Sequence, residues 1–202
     1  MSFADQLIKY GSTRIVFGKD ITNSYSSPSV AENNPTTILV KVSHVAARLD
    51  FSQFDVTLKG FEGDPTVVFD EAKFVNLQQN GKIVEGDASV NVKDGAFLNR
   101  SNRIGTRWTD MGTAYGYANQ YRQDSEMNTA LYVKFTVDGR TFEKTYPINP
   151  AGITKEVNHT GIKGGYLYDI KVHWTITPKW GDSTIEFYTR DWVHNTIPEV
   201  VL

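Results

Sequence analysis

Along Tyr168–Ile176, apolar side chains at Tyr168, Ile170, Val172, Trp174 and Ile176 alternate with Asp169, Lys171, His173 and Thr175. A period of two sends successive side chains to opposite faces, so the stretch predicts a β-strand with one buried and one wet face. Pro178, Gly181 and Asp182 interrupt the pattern and Ser183–Trp192 resumes it, predicting a second long strand after a short loop. Trp174 and Trp192 are expected in the core. Ten further residues, Val193–Leu202, are rich in β-branched side chains and carry only Glu199 and His194 besides the terminal carboxylate. A segment of this kind seeks a sheet edge to pair with.

The rest of the chain has the same rhythm. Phe3, Leu7 and Ile8 are spaced for a short helix ending at Gly11, and Thr13–Phe17 predicts a first strand. The Ser-, Asn- and Pro-rich stretch from Thr22 to Pro35 predicts an exposed loop. Strands follow at Thr36–Val42, Val45–Phe51, Phe54–Gly60 and Thr66–Leu77, with Asn80-Gly81 as a tight-turn signal. Ala130–Val137 and Arg140–Ile148 flank Asp138-Gly139, a second hairpin signal. Between these, Asp94–Asn128 loses the alternation and mixes four glycines with Arg100, Arg103, Arg107, Arg122, Trp108, Tyr115, Tyr117 and Tyr121. Aperiodic segments of this length are usually functional loops or linkers. The pattern therefore predicts an all-β protein of two antiparallel β-sandwich domains in tandem, residues 1–124 and 125–202. Asp94–Asn128 would be their junction and the first site of proteolysis.

Composition narrows the partners. The 202 residues include no cysteine, which removes disulfides and thiolate metal sites, and a net charge of −2 gives no basic field for nucleic acid. No run of eighteen apolar residues appears, and Met1–Asp5 lacks the basic and apolar regions of a signal peptide. Four dispersed histidines, His44, His159, His173 and His194, lack metal-ligand spacing, and neither a phosphate loop nor a G-x-S-x-G elbow is present. Asp70-Glu71 and Glu85 with Asp87 are the carboxylates available to a glycoside hydrolase, against the plainer reading of solvated turn charges. No enzyme, cofactor or metal is expected. Trp108, Tyr115, Tyr117 and Tyr121 are candidate stacking platforms for a carbohydrate or other surface ligand.

The order of the strands resembles a known family. Ile15-Val16-Phe17, Thr37–Val40, Val45–Asp50 with Phe54-Asp55-Val56, and Ala72–Leu77 are similar to the N-terminal domain of the fimbrillins, pilus and cell-surface proteins of Bacteroidales. Thr129–Lys134, Tyr146–Asn149, Gly161-Ile162 before Gly165–Val172, and Ile185-Glu186-Phe187 with Asp191-Trp192 are similar to that family's C-terminal domain. The resemblance implies transthyretin-like sandwiches and a structural or adhesive subunit of a type V pilus at the cell surface and outer membrane. Its implied partners are other fimbrial subunits and surface receptors, with membrane attachment only through a lipid anchor on the precursor. The lipid-bearing cysteine is missing from the sequence, as expected of a mature or trimmed form. In that family an arginine-specific protease removes the first strand and a neighbour's C-terminal strand fills the groove. Arg14 is the candidate cleavage position, or else an exposed strand charge. Trp192, Val193, Ile197, Val200, Val201 and Leu202 are candidate donor-strand anchors, divided between two registers; Pro198 limits the pairing because it has no N–H to donate.

Overall fold

A computed structural model of the chain describes residues 9–10, 40–81, 89–99, 103–150, 159–191 and 195–197. All its regular elements are strands. They are β1 (Lys9–Tyr10), β2 (Val40–His44), β3 (Ala47–Leu58), β4 (Val67–Val75), β5 (Leu77–Gln78), β6 (Val92–Lys93) and β7 (Phe97–Asn99). There follow β8 (Arg103–Ile104), β9 (Arg107–Gly116), β10 (Ala130–Val137), β11 (Arg140–Pro147), β12 (Tyr166–Ile176), β13 (Gly181–Asp191) and β14 (Asn195–Ile197). Lys9 and Tyr10, expected to close a short helix, are instead strand residues paired with His44 and Ser43. The predicted strand at Thr13–Phe17 and the Ser/Pro loop lie outside the described residues.

Two compact units are present, residues 1–44 with 193–202, and residues 45–192. In the first, β2 is flanked by β1 and β14, both antiparallel to it.

The second unit is a sandwich. One sheet has the order β11-β10-β4-β7, with β8 also on β4, and the other has the order β13-β12-β3-β9. The expected boundary at 124/125 is corrected by these pairings: β4 pairs with β10, and β3 lies parallel to β12, so strands from both expected domains share both sheets. Aromatic rings join the layers. The Phe54 ring of β3 lies 5.3 Å from Phe69 of β4, 5.4 Å from Trp108 of β9 and 5.2 Å from Phe135 of β10. Phe135 in turn meets Trp174 of β12 at 5.1 Å and stacks on Phe142 of β11 at 5.4 Å. One continuous apolar core results, and Trp174 belongs to it as its alternation predicts. Trp192 lies outside the described residues.

Local chemistry explains the turns. Val137 faces Arg140 across a two-residue loop in which Asp138 and Gly139 have φ of 46° and 81°. Positive φ at both central positions is the turn whose twist matches the flanking strands. The Asp138 carboxylate also accepts the Thr66 N–H at 2.7 Å. Ser52-Gln53, read as a break between strands, is a bulge inside one continuous strand, where the register of β3 slips against both β9 and β12. The Asn80-Gly81 signal does not close a tight hairpin. Gln78 pairs with Val92, and the intervening chain is partly outside the described residues.

Candidate functional site

The segment expected to be a junction loop is largely structural. Arg107–Gly116 forms β9, an edge strand that pairs with β3 from Ala47–Gly116 to Asp55–Arg107. Its buried positions, Trp108, Met111 and Gly116, do not alternate, because Asp110 takes φ of 53° and Gly112 φ of 139°, which re-aim the strand midway. Trp108, a proposed stacking platform, is corrected to a core residue, 3% exposed and packed on Phe54 and Phe69. Tyr115 is half-buried opposite Arg48. Tyr117 is half-buried, donates its N–H to the Gln78 carbonyl at 3.0 Å, and lies so close to Gly81 that a Cβ there would meet its ring. Tyr121 is half-buried in the following loop. With Trp108 in the core, the four do not form a common surface platform.

That following loop, residues 117–129, is tied down by asparagines. The Asn119 Nδ2 donates to the Met127 carbonyl and to Thr129 Oγ1, both at 3.0 Å, while its Oδ1 accepts from Arg122 Nη2 at 3.1 Å. Thr129 Oγ1 donates onward to the Asn76 carbonyl at 2.8 Å, and Asn76 Nδ2 donates to the carbonyls of Glu126 and Asn128 at 2.6 and 3.1 Å. Asn76 has φ of 55°, a conformation asparagine tolerates better than most residues. Asn119 also exchanges main-chain hydrogen bonds with Ile162, at 2.9 and 2.8 Å. Gly161 beside it has φ of 67°, and a Cβ there would run into the Asn119 carbonyl and the Tyr121 amide. The loop is thus a rigid part of the sandwich.

The histidines and carboxylates offer little chemistry. His159 Nε2 lies 2.7 Å from the Tyr168 hydroxyl, which also accepts the Lys163 N–H at 2.7 Å. Burial, with a smaller contribution from the Lys163 charge, lowers the His159 pKa, and burial raises that of the Tyr168 hydroxyl. A neutral ring accepting from the phenol fits both shifts. The Asp70 carboxylate accepts from Thr136 Oγ1 at 2.8 Å, and Glu85 and Asp87 lie outside the described residues. Among the described residues no cluster of three or more His, Asp or Glu side chains is placed to hold a metal ion.

The tail candidates divide. Asn195–Ile197 pairs antiparallel with β2, Asn195 facing Val42, Thr196 facing Lys41 and Ile197 facing Val40. Trp192, Val193, Val200, Val201, Leu202 and Arg14 lie outside the described residues. One exposed aromatic was not singled out from the sequence. Trp180 is 53% exposed, in the four-residue turn between β12 and β13. Pro178 and Gly181 mark the turn in the sequence, but nothing local in Pro178-Lys179-Trp180-Gly181 records that its aromatic is left uncovered.

No family model matches the chain, and no curated protein sequence matches it. Solved structures do. A candidate cell adhesion protein from Parabacteroides distasonis matches with a TM-score of 0.57 at 19% identity, over 75% of this chain and 53% of its own. A fimbrilin from Porphyromonas gingivalis matches with a TM-score of 0.46 at 15% identity, over 75% of this chain and 59% of its own. The tip fimbrial protein Mfa3 of the same organism matches at 0.43 and 11% identity, over 75% and 52%. This chain spans only part of these structures' length, about half in the first case. At such identities the likeness is one of fold, and the first match carries it. The chain therefore shares the fold of the Parabacteroides distasonis cell-adhesion protein over three quarters of its length.

Proposed function

We propose that the chain is a structural and adhesive subunit of a cell-surface fimbria, and that subunits join by exchanging a strand on β2. The observation that carries this reading is the pairing of Asn195–Ile197 with β2. Among the described residues the pairing spans Asn195–Ile197 against Val40–Val42 and is made by main-chain hydrogen bonds. A tail from a second copy can offer the same bonds, and exchange therefore costs little net enthalpy. The apolar side chains of the tail supply the rest of the grip, with Val193, Ile197 and Val201 in one register, or Trp192, Val200 and Leu202 in the other. In this proposal the 45–192 sandwich is one transthyretin-like domain, and a second is built about the sheet of β1, β2 and β14. The subunit would reach the outer membrane as a lipid-anchored precursor, be cut near Arg14, and then meet other fimbrial subunits and surface receptors. A purely structural role needs no catalytic group.

The absence of native cysteine gives a direct test. Val42 and Asn195 face each other across β2 and β14, so a V42C/N195C variant reports which chain supplies the strand. Under oxidising conditions, exchange gives a ladder of crosslinked multimers, and deleting Asn195–Leu202 from the unmodified chain abolishes filaments in negative-stain images while leaving a folded monomer. Crosslinking within single chains only, with unfolding of the deletion variant, would make the tail an internal strand and end the exchange reading.

A further inference from the structure

We propose that the cleft beside Trp180 binds an anionic saccharide, its pyranose ring lying on the indole and its carboxylate or sulfate held by Lys59 and Lys179. The cleft is lined by Lys59, Gly60, Thr177, Pro178, Lys179 and Trp180, and its volume is about 390 Å³. Ligand clefts run from roughly 300 to 1,000 Å³, so this one has room for a short saccharide and not for a folded partner.

The platform is preorganised. Thr177 N–H donates to the Trp180 carbonyl at 2.8 Å, and Trp180 N–H donates to Thr177 Oγ1 at 3.1 Å, closing the turn on itself. Pro178 restricts φ within the turn. Below it, a Cβ on Gly181 would fall 2.7 Å from Ile176 Cδ1 and 3.1 Å from a Phe142 ring carbon, so the turn sits directly on the core. Lys59 is brought alongside by its N–H, which donates to the Ile176 carbonyl at 2.9 Å. None of these bonds uses the indole. The backbone that carries the exposed ring is fixed before a ligand arrives, which lowers the ordering cost of binding to that of the side chain itself.

The chemistry selects the ligand. The C–H face of a pyranose is apolar with partly positive hydrogens, and it complements the electron-rich face of an indole. No carboxylate lines the cleft, and among the described residues neither lysine has an ion-pair partner. Glu62 and Asp64 on the loop after Gly60, and Asp182 after the turn, are neighbours in sequence that do not line it. Two lysines and no carboxylate therefore line an opening on a chain whose net charge is −2, a local feature and not a general basic field. An extended peptide would want a sheet edge, whereas this opening is formed by turns.

The inference stands apart from subunit assembly and is tested on the monomeric chain. Indole N–H resonances are followed by nuclear magnetic resonance while 3′-sialyllactose, a sulfated heparin disaccharide or neutral lactose is added. We expect the Trp180 resonance to shift with at least one anionic probe, with lactose at least about tenfold weaker, which corresponds to ~1.4 kcal/mol. Trp180→Ala should abolish the response, Trp180→Phe should retain part of it, and a K59Q/K179Q variant should bind the anionic probe no better than lactose. Sialyllactose and the heparin disaccharide separate carboxylate from sulfate recognition. The proposal is overturned if no probe shifts Trp180, or if binding persists in folded Trp180→Ala. It is equally overturned if Trp180→Ala changes only self-association in sedimentation velocity.

Discussion

Trp108 and Trp180 occupy the two halves of the sandwich's behaviour. Trp108 comes from a glycine- and arginine-rich stretch and is 3% exposed, wedged between Phe54 and Phe69. Trp180 joins two regular strands and is 53% exposed. The difference follows from where each sits on its sheet. A strand that bends at Asp110 and Gly112 still delivers a side chain to the core, because its partner β3 dictates the face. A turn lies beyond the last ladder pair, Ile176–Gly181, and has no opposing sheet to bury its side chain.

Substitutions at these positions test the contrast. Trp108→Ala should cost about 3–5 kcal/mol, as expected for emptying a buried aromatic site, and denaturant unfolding would show it as a lower midpoint. Little change would mean that β9 is a peripheral flap. Asn119→Ala comes next. It strips partners from the Met127 carbonyl, Thr129 Oγ1 and Arg122, and should cost about 1–3 kcal/mol. The same variant should admit protease within 120–128, which the native network protects; cleavage there in the unmodified chain would show that the loop is loosely held.

Smaller effects are expected at the hairpin and at His159. Asp138→Ala replaces a residue that tolerates positive φ with one that tolerates it less well and releases the Thr66 N–H, for about 1–2 kcal/mol. The lowered His159 pKa means that the unfolded chain binds the proton more readily than the folded one. Stability should therefore be full above the unfolded value of about 6.5 and decline as pH falls from there through the depressed folded value. His159→Gln should flatten that part of a melting-temperature profile, and an unchanged profile would place the titrating group elsewhere. Trp180→Ala closes the series. With no bond to the indole holding the turn, its unfolding free energy should change by less than about 0.5 kcal/mol. A large loss would make Trp180 a structural residue and Trp108 no longer its opposite.

How much of this was legible in the sequence depended on whether the signal was local. Tyr168–Ile176 alternates cleanly, and its apolar set is the buried set. Asp138-Gly139 names its own turn, because residues at those positions must adopt positive φ. β9 was illegible for the converse reason: its bulge breaks the period, so Trp108 and Met111 stand three apart and Trp108 reads as a loop aromatic. Ser52-Gln53 misled in the same way, as a bulge has the composition of a break. Trp180 escaped notice because exposure of a single ring depends on what covers it, which no local pattern records.

By itself the sequence determined the β class, the faces of the regular strands, and the tight hairpin of β10 and β11. Alternation says which side chains share a face, since that geometry is a property of each strand alone. Only the tertiary structure decided the neighbours. It placed β3 parallel to β12 and β4 against β10, joining across position 124 what the sequence divided in two. Pairing partners are chosen by the burial of two whole sheet faces against each other, with Phe54, Trp108 and Trp174 meeting Phe69, Phe135 and Phe142 in one core. That choice is collective: each ladder's gain depends on the other strands being in place, so it cannot be read from any one stretch of chain.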